Sequence, residues 1–406
     1  FTLKNIATPM RLYQWRPANS AQAPSRGELP SMGVESFTYA PNDPDTAALA
    51  QDLHEGLIQM NARRTGMTVV DLGDNPRAKP VFVLRGRLRV AGNKGRFSVS
   101  LLMREDGRSL WSQTYEGSTE DVFAFCDDVL ARADTGIRLQ TMQQDGSRID
   151  HLPDDQLSVS ELRARASGYF FRQTLEGWQR GREVLERALL LNPQDGMSLA
   201  MRAQNKLNYW SAEFHDPDPD LAAELTDELD LALENLPNSD FLYWVRGQHQ
   251  LRLLDNIEMA EFDIERAQQI NPNFLGTADL KCQIFVRQGR FAEAIEAASA
   301  YDALGSDNLF KTKQLCTVAQ LWLCAGDADK AAHNATQASF LRPGDRSVQL
   351  LRALACQKAG DDVGLAQARD AANRLEKQLS VMVASLPLPP EFAWIEDAIR
   401  PDADPV

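Results

Sequence analysis

Five histidines, five cysteines and an acidic cluster are the residues of this chain whose types could do chemistry, and their spacing argues against most of it. His54, His151, His215, His249 and His333 fall in separate segments, with no H-x-x-x-H or H-E-x-x-H to put two imidazoles on one helix face. Cys126, Cys282, Cys316, Cys324 and Cys356 are odd in number and contain no C-x-x-C; four sit among Leu and Ala, as buried small hydrophobes do. Asp216, Asp218 and Asp220 could offer oxygens to a hard cation, but two prolines stiffen the loop and no downstream Glu completes a calcium pattern. GNKG (Gly92–Gly95) lies between two β-like runs rather than before a helix, so it reads as a hairpin turn and not a phosphate cradle. With no G-x-S-x-G, no G-x-x-x-x-G-K and no dinucleotide fingerprint after a strand, the expectation is a chain with no catalytic residues, metal site or cofactor of its own.

The net charge of −14 repels polyphosphate backbones, and no Lys/Arg-rich run offsets it, so nucleic acid is not an expected partner. The longest notable uncharged stretch, Leu315 to Gly326, is 12 residues and contains Gln320, short of the roughly 18 apolar residues a membrane span needs. Reduced, scattered cysteines then favour the cytoplasm.

Three kinds of sequence succeed one another along the chain. Residues 1–15 alternate like a strand around Pro9, and a lone strand must belong to a sheet begun upstream. Residues 16–31, rich in Pro, Ala, Ser and Gly, read as a tether. Residues 32–145 predict the order β-α-β-β-β-β-α, a small mixed sheet with helices on one face: strand MGVESFTYA, a helix carrying Leu49, Leu53 and Leu57, strand TGMTVVDLG, three antiparallel strands separated by AGNKG and REDG, and a helix from about Thr119 to Gln144. Residues 146–157 read as a second linker. From 158 to 385 the period is helical throughout, and 386–406 form a tail.

Within the helical region a single ending recurs: ERALLLNP, DLALENLP, ERAQQINP and TQASFLRP, each with an Ala five residues before the Pro (Ala188, Ala232, Ala267, Ala338). The prolines are 44, 35 and 71 residues apart, the last close to two repeats. Gly289, Gly326 and Gly360 mark turns inside a pair, and the prolines start the turn to the next. The predicted architecture is therefore α+β, a small sheet domain followed by an all-α solenoid of about six helix pairs. Its 44-residue interval holds an insert, SAEFHDPDPDL, expected as a longer loop in the second pair. Aromatic residues at helical spacing (Tyr169, Phe170, Trp178, Tyr243, Trp244) are expected in the core. The polar positions His249, Arg252, Asp279, Gln283, Gln320 and Gln357 are the candidates for a binding groove.

The repeat resembles the tetratricopeptide repeat, which implies a surface for peptides or other proteins. Leu3, Lys4, Asn5, Ile6, Pro9 and Tyr13 are similar to the closing segment of class III adenylate/guanylate cyclase domains. The section 32–145 resembles the TolB N-terminal-like domain, on Leu84, Gly86 and Arg89 of one strand, Arg96, Phe97 and Val99 of the next, Trp111, and the acidic helix start Glu120–Phe123; DNPRAKP (Asp74–Pro80) stands where that family carries a helix. Together these resemblances imply the regulatory region of a cyclase whose metal-holding carboxylates lie outside this chain, so the chain alone is expected to be inactive. A protein partner and a homodimer are the implied assemblies. The alternative is the effector region of a winged-helix transcriptional regulator, since the same two modules also follow such domains.

Overall fold

A computed structural model describes residues 31–406, apart from 63–66, 150, 173, 213–217, 273, 304–309, 378–379, 381, 384–385, 401 and 406. The opening segment 1–15, with the cyclase-like residues, and the tether up to residue 30 lie outside the described residues.

The N-terminal region is a mixed sheet, β3-β1-β4-β5-β6, with β2 paired to β4. Its strands are β1 (Ser31–Val34), β2 (Thr38–Ala40), β3 (Thr68–Asp71), β4 (Phe82–Ala91), β5 (Lys94–Met103) and β6 (Ser109–Ser118). The single opening strand expected from MGVESFTYA is two: both run parallel to β4, and residues 35–37 bend the chain between them, burying Phe37. The long strands form as read. In β5, Gly95, Phe97, Val99, Leu101 and Met103 alternate inward against outward polar residues, and the turns at Gly92 and Gly107 take left-handed φ of 56° and 69°. GNKG thus closes a hairpin, Ala91 facing Lys94. Helices α1 (Pro44–Ala62) and α2 (Val122–Arg148) cover one face, closing a core of Leu53, Leu57, Leu84, Phe97, Val129 and Ile137.

Where a linker was expected at 146–157, α2 continues to Arg148 and the chain behind it is pinned. The Arg165 guanidinium donates to the backbone carbonyls of Ile149 and Leu152 and to the Asp154 carboxylate. Gly146 of α2 lets the next helix approach so closely that a Cβ there would sit 2.7 Å from the Ala164 carbonyl. Polarity in this stretch serves one arginine, which composition alone cannot distinguish from a loop.

The described residues from 159 to 373 form six antiparallel helix pairs: α3 (Val159–Phe171) with α4 (Leu175–Leu191), α5 (Gly196–Ala212) with α6 (Pro219–Asn235), α7 (Asp240–Arg252) with α8 (Ile257–Ile270), α9 (Leu275–Arg287) with α10 (Phe291–Ala303), α11 (Lys311–Cys324) with α12 (Ala328–Leu341), and α13 (Arg346–Ala359) with α14 (Asp362–Asn373). The repeated alanines are buried where the second helix of a pair meets its neighbours. Gly289, Gly326 and Gly360 take φ of 71°, 79° and 73°, each next to the residue that opens the second helix. In the third pair that place belongs to Asp255, the one described non-glycine residue at positive φ (51°). The insert falls in the second pair as expected, and helices absorb its ends: Ser211 and Ala212 finish α5, and Asp218 caps α6 through the Leu221 N–H. Asp218 is thus a helix cap rather than a cation ligand. Beyond α14, a one-turn 3₁₀ segment (Pro390–Phe392) leads into α15 (Ala393–Ile399).

Candidate binding groove

The first helices of successive pairs follow one another as α5, α7, α9 and α11, and a chain of polar contacts runs across the first three. Ser211 ends α5, Arg252 ends α7, Asp279 and Gln283 lie one turn apart on α9, and Lys313 is in the first turn of α11. Arg252 donates through Nη1 to Ser211 Oγ at 2.6 Å and through Nε to Gln283 Oε1 at 2.8 Å; the Gln283 amide donates to Asp279 Oδ2 at 2.8 Å. One end lower, Gln248 of α7 donates to Gln204 of α5 at 3.2 Å, and Gln204 to Asn208 at 2.7 Å.

The charge at this cluster is unbalanced. Burial pulls both the Arg252 guanidinium and the Lys313 ammonium below their ordinary values, Asp279 opposes the fall in each, and Arg252 adds its own repulsion to Lys313. Two cations therefore share one carboxylate, and among the described residues Lys313 has no carboxylate within ion-pair distance. A desolvated cation pair gains most from an incoming anionic group, which restores both charges at once.

The candidates read from the sequence divide accordingly. Arg252, Asp279 and Gln283 are brought together. His249, Gln283 and Gln320 occupy one register position in successive pairs, and each is about 1% exposed. That position is an inter-helix seam: His249 Nε2 lies 2.9 Å from the Thr226 hydroxyl of α6, and Gln320 donates to the Cys316 carbonyl of its own helix. Desolvation pulls His249 down to about 4, with Asp230 opposing weakly, so it stays neutral near pH 7. His249, Gln283 and Gln320 are thus corrected from groove to seam, Gln283 meeting Arg252 from there, and exposed Gln357 stands apart on α13. The cluster also holds two residues the sequence reading missed, Ser211 and Lys313. Lys313 lies seven residues before Gln320, on the same helix face, which is the signal that could have found it.

The remaining chemistry-bearing side chains form no second site among the described residues. No group of three His, Cys, Asp or Glu side chains there could hold a metal ion. All five thiols are free, and burial pushes each upward, Cys126 to about 11 and Cys324 to about 12, away from reactive thiolate. The aromatic residues pack as core: Trp178 and Tyr243 are buried, and Phe241, Trp244 and Phe274 stack in series. Among the described residues no helix is long and apolar enough to cross a membrane.

No known family model matches the chain. A 255-residue stretch is 23% identical to a Rhizobium meliloti protein named "Putative adenylate cyclase 3"; the match takes in 57% of this chain and 43% of that one, so the chain spans under half the length of its relative. Among solved structures, a thermophilic TPR protein of Thermus thermophilus superposes on 49% of this chain and all of its own with a TM-score of 0.40 at 18% identity. The type IV pilus biogenesis factor PilW superposes on 53% of this chain and 92% of its own with a TM-score of 0.40 at 14% identity. What can be said of this chain itself is its architecture, an α+β arrangement of a small mixed sheet followed by a tetratricopeptide-like helical repeat.

Proposed function

We propose that this chain is the non-catalytic sensory and partner-binding region of a cytoplasmic nucleotide cyclase, and that it adjusts cyclic nucleotide synthesis by engaging a protein segment or by organising a dimer of the catalytic parts. The observation that carries the binding half is the cluster of Arg252, Lys313, Asp279, Gln283 and Ser211, contributed by the first helices of four successive pairs and, among the described residues, with one carboxylate for two cations. Its geometry suits a carboxylate-bearing peptide, with the amide and hydroxyl groups fixing orientation and the two cations supplying attraction. The cyclase half is supported by the relative's name and by the resemblance of Leu3–Tyr13 to the end of a cyclase domain. Cyclisation of a nucleoside triphosphate would need divalent metal held by carboxylates, which this reading places in the catalytic part rather than in this region.

The test compares two polypeptides. The purified 406-residue chain with ATP or GTP and magnesium or manganese should form no cyclic nucleotide. The polypeptide extended through whatever its gene encodes before Phe1 should form it, and the double substitution Arg252→Ala with Lys313→Ala should change its rate several-fold at unaltered KM for the nucleotide. Turnover by the 406-residue chain would overturn the assignment of a non-catalytic role. An upstream recognition helix with no cyclising activity would replace the cyclase by a transcriptional regulator.

A further inference from the structure

Positions 386–400 (LPLPPEFAWIEDAIR), close to the end of the chain, are not a free tail. Leu386, Leu388, Ile395 and Ile399 are buried in the same apolar cluster as Cys282 and Val286 of α9, Cys316 and Val318 of α11 and Leu351 and Leu354 of α13. The segment reaches three successive pairs. Phe392 stacks edge-on against Phe291, which opens α10, with ring centroids 5.0 Å apart. Glu391 is near enough to Cys324, the last residue of α11, to help raise its thiol. The Lys358 ammonium of α13 sits 4.6 Å over the Trp394 ring, and α15 packs along α13. A segment that merely capped the end of the stack would touch the sixth pair alone.

The way it is held is also unlike the helices beneath it. The prolines of LPLPP remove backbone donors, so this stretch adds no ladder or helix of its own, and the Leu388 N–H donates back to the Leu386 carbonyl at 2.7 Å in a tight turn. After it come a 3₁₀ turn and a seven-residue helix, too short to be stable apart from its seat. The attachment of 386–400 therefore consists of inserted side chains, with polar ties just beyond it where Arg346 donates to the Ala403 carbonyl and Lys377 to the Asp402 carbonyl, which is how a bound peptide is held.

We propose that residues 386–400 are an intramolecular ligand, seated on the fourth to sixth helix pairs and exchangeable for a segment of another protein of the same chemistry: a Leu/Pro stretch followed by a short acidic amphipathic helix. This rests on the partner-binding reading above but not on the link to a cyclase. The solenoid then carries two neighbouring surfaces, the anion-seeking cluster of α5 to α11 and an apolar seat over α9 to α13 that is closed until the strap leaves. Because the strap is tethered, it acts at an effective concentration in the millimolar range, and a competitor must overcome that advantage.

The experiment places a protease recognition sequence between Glu376 and Lys377, both exposed, in the full chain, and compares cut and uncut protein for binding of a fluorescent peptide of sequence LPLPPEFAWIEDAIR. After cutting, the fragment should co-elute with the body of the chain and exchange for excess labelled peptide, while the uncut chain binds the peptide about a hundredfold more weakly. A second form needs no cleavage: Ile395→Asp with Ile399→Asp in the full chain should release the strap and raise peptide binding to the level of the cut protein. Equal binding by cut and uncut chains, a fragment that never exchanges, or one that departs leaving a seat that takes up no peptide would each overturn the proposal. The readout contains no nucleotide, so its failure leaves the test of Arg252 and Lys313 standing, and the converse holds.

Discussion

In the second and third helix pairs an arginine of the first helix reaches a buried carboxylate of the second: Arg202 Nε donates to Glu228 at 2.6 Å, and Arg246 Nε to both oxygens of Asp263 at 3.0 Å. Counting from the turn inside each pair, the same two places hold Leu280 and Ala297 in the fourth pair, Thr317 and Asn334 in the fifth, and Leu351 and Ala368 in the sixth. Two of the six pairs close with ions, the fourth and sixth with small and branched apolar groups, and the fifth with Thr and Asn. The apolar closure tolerates loss of either member as a cavity. The ionic one depends on both members at once, because a carboxylate out of water keeps its full desolvation penalty when its cation goes.

The sharpest way to break that comparison is Arg246→Ala. Asp263 has no exposed surface, and burial already pushes its carboxyl upward despite the guanidinium beside it. Removing the partner should cost about 3–5 kcal/mol in denaturant unfolding monitored by circular dichroism. Arg246→Leu with Asp263→Ala, which copies the fourth and sixth pairs, should recover most of that loss. A single substitution costing under about 1 kcal/mol would show that the pair is held as loosely as a surface ion pair.

The seam residues give the next largest effect, and it depends on pH. His249 titrates near 4 in the folded chain against an ordinary 6.5, while its register equivalents Gln283 and Gln320 do not titrate. Between pH 6.5 and 4 the unfolded chain holds a proton that the folded chain lacks, so stability is complete above 6.5 and falls as acid is added, by about 3 kcal/mol at pH 4. Asp263 and Asp345, raised by burial, shift the other way, so the quantity to measure is the difference between the native chain and His249→Gln. That difference should narrow from pH 7 to pH 4 as the native chain loses stability faster. Parallel curves would mean the imidazole is charged in its seam.

The same contrast explains what could be read before the fold was known. The four Ala-to-Pro endings and the three turn glycines are set by steric demands that admit few residues, so they survive as letters and gave the six pairs. The ion pairs left no such mark, because Arg202 and Glu228 are 26 positions apart and nothing local says which of many charges is buried. The groove was half legible for the same reason. Register placed Gln283 in a polar series with His249 and Gln320, but whether a register position faces a neighbour or solvent depends on how each helix is rotated. His249 and Gln320 face neighbours, whereas Arg252 and Lys313 extend past the seam. The strap was legible only as a tail, since LPLPP carries no helical or strand period.

Turn geometry offers a smaller effect. Gly326 holds φ at 79° with nothing within 4 Å of where a Cβ would stand, so Gly326→Ala meets no clash and isolates backbone strain. It should cost about 1–2 kcal/mol, the penalty of an ordinary L-residue in the left-handed region. A neutral result would mean the turn between α11 and α12 can relax to another conformation without disturbing the pair.

Asp255 then reverses the question, because it already stands where the other three pairs have glycine. An aspartate tolerates the left-handed region better than most residues, and here its Oδ1 also accepts from Arg287 of α9, at 2.9 Å from Nε and 2.7 Å from Nη2, tying the third pair to the fourth. Replacing it by glycine removes the strain, loses an ion pair whose carboxylate is two-thirds exposed, and gives the unfolded chain more freedom. The gain and the two losses are each about 1 kcal/mol or less, so Asp255→Gly should move the unfolding free energy by under about 1 kcal/mol in either direction. A loss above about 2 kcal/mol would exceed what an exposed pair supplies. Arg287 and Asp255 would then be a joint on which the stacking of α9 against α7 depends, and ionic closure would reach from the second and third pairs into the fourth.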